Sequence, residues 1–226
     1  MTIGRANEGG TARREMSGLA QLAYTACGAV TWMAALNLAW FAGTLLGGVV
    51  LGAGPATAAA HTLARRRMRG DGIRFVRDFW AEYRGQWRTA NLVFAPVVVV
   101  VASLLFSWAY ALDSHAPWPF VVVLVVATVL VVGAGGVLGP MYAHYDLPWR
   151  RYVPTALRFA LAMPWTLVLL AALAGVIVLA TAIVPALFWF VSIGAWIYLD
   201  TALCLALFAA NDARLEQAEA SSQPTN

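Results

Sequence analysis

The 226-residue chain has no lysine and only two cysteines, and just 12% of its residues are charged. A soluble globular domain carries ~25% charged residues, so too little ionic surface is present here to face water on all sides. The scarcity is also local: residues 16–64, 89–112, 114–145 and 159–199 contain no Asp, Glu, Lys or Arg at all. Cys27 and Cys204 stand inside these apolar stretches, where cysteine behaves as a small hydrophobe. The expected topology puts them in opposite leaflets, so no disulfide is expected. No Cys-x-x-Cys and no His/Cys cluster with ligand spacing occurs, which leaves no cofactor or metal site to predict.

What the chain does have is hydrophobic residues, 61% of the total. Apolar runs of ~18 residues or more are candidate membrane spans, so the fold class is all-α, a polytopic transmembrane bundle. The expected layout is a polar segment 1–18, one transmembrane domain 19–210 and a polar cytoplasmic tail 211–226. The expected spans are 19–53, 91–112, 120–142, 160–183 and 186–208. The first is too long for a straight helix, which at ~1.5 Å per residue would exceed a ~30 Å hydrocarbon core. It must tilt, kink or re-enter, and Gly43, Gly47, Gly48 and Gly52 are its weak points and small-residue packing positions.

After Gly54-Pro55, where Pro suits the first turn of a helix, the stretch to Gly70 reads as helical and ends in Arg65, Arg66, Arg67 and Arg69. Asp71 is expected to cap a second helix, in which Phe75, Phe79, Tyr83 and Trp87 recur every fourth residue beside Arg74, Arg77, Arg84 and Arg88. That pattern predicts an interfacial amphipathic helix. Eight arginines fall between spans one and two, three (Arg150, Arg151, Arg158) between spans three and four, and one (Arg214) in the tail. The positive-inside rule makes that side cytoplasmic and puts the N-terminus outside. If the first segment re-enters instead, all fifteen arginines become cytoplasmic. Nucleic-acid binding is not expected despite the net charge of +4, because the basic residues flank apolar runs.

Val50-Leu51-Gly52, Pro55 and His61 are echoed by Val137-Leu138-Gly139, Pro140 and His144. The echo suggests two parallel copies of one unit, with both histidines near the cytoplasmic face. The order Asn37-x-x-Trp40, then Gly54-Pro55-Ala56, then Phe79-Trp80 resembles the YesL-like family, domain of unknown function 624. The resemblance implies a bacterial inner-membrane protein associated with carbohydrate uptake. It brings no catalytic residue.

Asp200 is the sole acid or base inside an expected span. A charge at that depth costs ~2.5–3.5 kcal/mol on the permissive insertion scale, so Asp200 serves either as an ion or proton site or as a carboxylate bonded to a neighbouring helix or shallow enough to reach the inner interface. Asn37 reads as interhelical glue, or as the partner of Asp200 if the two meet. Arg65, Arg66, Arg67, Arg69, Arg74 and Arg77 form the expected surface for anionic lipid head groups or for subunits of a sugar transporter. With no paired catalytic groups at membrane depth, an enzyme is not expected. A non-enzymatic accessory protein is the leading expectation, and a small transporter or channel subunit using Asp200 is the alternative.

Overall fold

A computed structural model describes the backbone of residues 5–222 and the side chains of residues 20–210 and 212. The polar ends 1–4 and 223–226 lie outside it, and so do the side chains of the N-terminal arginines. Eight α-helices follow one another: α1 (Arg5–Leu46), α2 (Val50–Met68), α3 (Phe75–Gly85), α4 (Trp87–Asp113), α5 (Trp118–His144), α6 (Trp149–Ala162), α7 (Pro164–Ile183) and α8 (Ile193–Ser222). A single turn of π-helix, Phe188–Ser192, opens α8. No strand occurs among the described residues, so the all-α expectation holds.

Five helices are long and apolar enough to cross a membrane: Ala20–Leu46, Trp87–Asp113, Trp118–His144, Pro164–Ile183 and Phe188–Ala210. Their outer faces display Leu105, Phe106, Leu112, Val176 and Leu179 to the surroundings. Hydrocarbon is the solvent that tolerates such a continuous apolar face.

The expected span 19–53 is corrected, because the first helix stops at Leu46 and the chain reverses. Gly48 and Val49 both take positive φ, +70° and +67°, which suits glycine and strains a β-branched residue. α2 then folds back antiparallel on α1. Trp40 Nε1 donates to Thr57 Oγ1 at 2.9 Å, and farther along Arg67 lies over the Trp32 ring, 4.5 Å from its centroid. The reversal is tight because a methyl on Gly52 would strike the Gly43 and Thr44 carbonyls, and one on Gly47 would strike the Gly52 backbone. Gly43, Gly47 and Gly52 are therefore packing positions. Gly48 has open space around it and serves the turn instead.

Two further boundaries differ from expectation. Pro55 lies inside α2 and does not open it, since helical geometry already begins at Val50. Asp71 does not cap α3; that helix starts at Phe75, and Asp78 Oδ2 reaches back to accept from the Arg74 N–H at 3.0 Å. Phe75, Phe79 and Tyr83 form an aromatic ladder, stacked in succession along α3, but Trp87, expected in the same helix, opens α4 and meets Tyr83 edge-on; Phe75 packs on Trp32 of α1, and the Tyr83 hydroxyl donates to the Gly43 carbonyl at 2.7 Å.

α2 sits centrally and touches α1, α3, α4, α5 and α8. Its residues Ala56, Ala58, Ala59, Ala60, Leu63 and Ala64 are all buried, and such small side chains let backbones approach closely where lipid offers no hydrophobic drive between helices. One core cluster joins α1, α2 and α3 to α8 through Leu36, Leu63, Phe79 and Ile197. A second joins α2, α4, α5, α6 and α8 through Val93, Leu138, Met141, Tyr152 and Phe208. Trp196 packs against both.

Candidate functional site

Asn37 is fully buried where α1 crosses the start of α8. Its amide nitrogen donates to the carbonyls of Phe188 (3.3 Å) and Trp189 (2.7 Å), and its amide oxygen accepts from the N–H groups of Ile193 (2.9 Å) and Gly194 (3.0 Å). One side chain thus meets four backbone groups at the junction of π-turn and α-helix, groups that would be expensive to leave unpaired away from water. Gly194 makes the approach possible, since a methyl there would overlap the Met33 carbonyl and come within 2.9 Å of the Asn37 nitrogen. Asn37 thus ties α1 to the start of α8. It shares no hydrogen bond with Asp200, which lies six residues past Gly194, ~9 Å along a helix axis.

Asp200 faces the interior with no exposure. Its Oδ1 accepts from the Cys204 thiol at 3.6 Å, one helical turn on, while Oδ2 has no partner among the described residues. The carboxyl packs beside Gly136 of α5, where a methyl would also meet Leu170 of α7 and Trp196 of α8. One turn along α5, Gly139 leaves room for the His61 ring of α2. The His61 Nδ1 lies 2.9 Å from Thr201 Oγ1, and Thr201 spends its own proton on the Ile197 carbonyl at 2.6 Å. Nδ1 is therefore the donor, and Nε2 faces Gly139.

His61 is only 2% exposed, enclosed by α2, α5 and α8. His144 ends α5, whereas His61 stands in the interior of α2, so the sequence echo aligns residues with different structural roles. The stripe Gly133, Gly136 and Gly139, which admits Leu167, Asp200 and His61, was missed in the sequence. Its three-residue spacing on one helix face was the available signal.

The arginine cluster is partly tied down. Arg65 donates to the Ala143 carbonyl of α5, and burial, with the like charge of Arg69 behind it, holds its guanidinium below the ordinary value while Asp71 opposes the shift. Arg66 pairs with Glu82 of α3 at 2.8 Å, an ion pair open enough to add little stability. Arg67, Arg69, Arg74 and Arg77 are exposed. Arg67 makes one long contact, 3.4 Å, to the Gly28 carbonyl. The arginine-rich end of α2 thus stands beside the N-terminal half of α1.

The family model for "Protein of unknown function, DUF624" matches residues 33–108, the part that holds Asn37, Trp40, the α1–α2 reversal and the aromatic ladder. Three Bacillus subtilis (strain 168) proteins are similar. Uncharacterized protein YesV is 32% identical over 63% of this chain and 70% of its own length. Uncharacterized protein YteU is 30% identical over 60% and 62%. Uncharacterized protein YesL is 30% identical over 63% and 69%. No solved structure matches the chain. The chain, with its five helices apolar and long enough to cross a membrane, belongs on the strength of these matches to the YesL-like DUF624 family.

Proposed function

We propose that this protein is a non-catalytic accessory protein of the bacterial inner membrane that presents the arginine-rich end of α2 and the start of α3 to anionic groups at the cytoplasmic surface. Anionic lipid head groups are one such partner. Subunits of a sugar transporter are the other, as the family resemblance implies. The observation that carries this reading is the division of labour within the cluster: Arg65 and Arg66 are anchored to α5 and α3, while Arg67, Arg69, Arg74 and Arg77 stand exposed in succession. Each juxtamembrane arginine adds ~1 kcal/mol at an anionic surface.

The fold-back also bears on sidedness. Arg67 reaches Gly28, so the N-terminal half of α1 shares a side with the cluster. The positive-inside rule then favours all fifteen arginines and both termini in the cytoplasm, with α1 and α2 entering and leaving by one face, over an external N-terminus. The test is purification from native membranes in mild detergent, comparing wild type with an Arg67, Arg69, Arg74 and Arg77→Gln variant. Partner subunits or anionic lipid should co-purify with wild type and be lost from the variant. Equal recovery from both sinks the proposal.

A second reading, a small transporter or channel subunit, draws on Asp200, a buried carboxyl with one unpartnered oxygen among α5, α7 and α8. It predicts that Asp200→Asn abolishes function while the four-arginine variant retains it. The accessory reading expects the reverse.

A further inference from the structure

The surface is hollow on both sides of the Arg67–Trp32 stack. One hollow, about 650 Å³, is lined by Arg67, Asp71, Ile73 and Tyr198 where the chain leaves α2. The other, about 780 Å³, is lined by Tyr24, Gly28, Ala35 and Phe75 along α1 and the start of α3. Trp32 and Arg67 line both. The first is rich in hydrogen-bonding groups. The second is largely apolar, because its two threonines, Thr25 and Thr31, spend their hydroxyl protons on the helix's own carbonyls at Gln21 and Cys27.

A polar hollow joined to an apolar one across a stacked guanidinium has the shape of a head-and-tail ligand site. Arg67 supplies the charge: a guanidinium has five N–H donors, and here the long contact to Gly28 is its one hydrogen bond to the protein. At the same stack, the indole N–H of Trp32 is buried and finds no acceptor among the described residues. Asp71 and Tyr198 border the polar hollow and favour a head that also carries hydroxyl or ammonium donors.

We propose that the two hollows form one binding site for a phosphate-bearing amphiphile, with the phosphate oxyanion held by Arg67 and the hydrocarbon tail laid along α1 between Tyr24 and Phe75. The site rests on the reading of the α2 terminus as an anion-facing surface, and narrows it to one residue pair. Arginine suits the role because its planar fork meets phosphate bidentately while its face stays on the indole, which lysine cannot do.

The experiment titrates full-length protein, stripped of lipid in an uncharged detergent, with phosphatidylglycerol, phosphatidylethanolamine and phosphatidylcholine, and counts bound lipid by native mass spectrometry. Glycerol 1-phosphate and inorganic phosphate serve as soluble competitors. Wild type should hold one phosphatidylglycerol per chain. Arg67→Gln should weaken it about tenfold or more, the scale of one charge-assisted contact, and Arg67→Lys by less. Arg84→Gln and Arg88→Gln, which remove exposed charges elsewhere, should stay near wild type. Competition by either soluble phosphate at millimolar concentration supports phosphate recognition with a free phosphate as the source, while resistance to it supports the lipid. Should Arg67→Gln fail to fold, Trp32→Phe, which removes the indole N–H, takes its place, with thermal unfolding to certify the variant. Unchanged affinity in a folded Arg67→Gln or Trp32→Phe overturns the site. The broader surface reading survives that result if the four-arginine variant still loses its co-purifying partners.

Discussion

Replacing Gly194 by alanine puts the contact between α1 and α8 to a direct test. The added methyl would overlap the Met33 carbonyl and crowd the Asn37 backbone nitrogen, which are main-chain atoms and cannot rotate away. α1 and α8 would have to part by more than about 1 Å to restore ordinary contact, enough to break or stretch the four hydrogen bonds of Asn37. Interhelical hydrogen bonds in membranes contribute ~0.6–2 kcal/mol each. Alanine returns ~1 kcal/mol of helix propensity. Loss of all four less that return is a net ~1–7 kcal/mol, and at ~2–4 °C per kcal/mol the middle of that range lowers Tm by about 10 °C. Gly175→Ala is the matched control, since nothing lies within 4 Å of the methyl it would add. Both variants would be followed by thermal unfolding in one detergent, by circular dichroism and by loss of the monodisperse peak. If Gly194→Ala melts within about 2 °C of Gly175→Ala, the argument for backbone contact is refuted.

Gly139→Ala should lower Tm by driving a methyl into the His61 ring, and adding His61→Ala should recover part of the loss; a double variant no better than the single one counts against the contact. Asp200→Leu should melt no lower than wild type, because it removes a buried carboxyl with an unpartnered oxygen, and a fall beyond about 5 °C would reveal a partner for that oxygen. Burial raises the Tyr83 phenol above its ordinary 10.0, so the folded protein keeps a proton that the unfolded chain releases. Stability should be full below pH ~10 and decline above it, and Tyr83→Phe should make that alkaline decline shallower in pH-resolved melts, with Tyr145 and Tyr152, also raised by burial, supplying the remainder. Reporter fusions at the two termini should both register the cytoplasm; a periplasmic signal from the N-terminal fusion would overturn the shared sidedness.

The sequence reveals the features governed by local periodicity. Charge-free runs marked α4, α5, α7 and α8, and the four-residue aromatic repeat from Phe75 to Trp87 marked the face that packs on α1. The reversal at Gly47–Val49 was foreshadowed by surplus length and by glycine, but not its direction, because which way a chain turns depends on partners distant in sequence. Asn37 shows the limit most clearly: its acceptors and donors lie more than 150 residues away, in a π-turn that Phe-Trp-Phe-Val-Ser does not announce. The shared Gly/Pro pattern did not reveal that His61 packs between Gly139 and Thr201, because both partners lie far along the chain. Arg67 was singled out only as one of a row, and what distinguishes it is the Trp32 ring beneath it.

The wide turn at Phe188–Ser192 acts as a phase setter for everything after it. A π-turn accommodates one residue more than the α-helical repeat, and one residue corresponds to ~100° of rotation. Excising a single residue from this turn would let it close as ordinary α-helix with little change downstream, whereas the same excision past it, between Ile193 and Asp200, would leave hydropathy almost untouched yet swing Asp200, Thr201, Cys204 and Phe208 off their common bearing toward α2 and α5. In this fold an indel of one, silent to any hydropathy profile, would be among the most disruptive changes in the final helix.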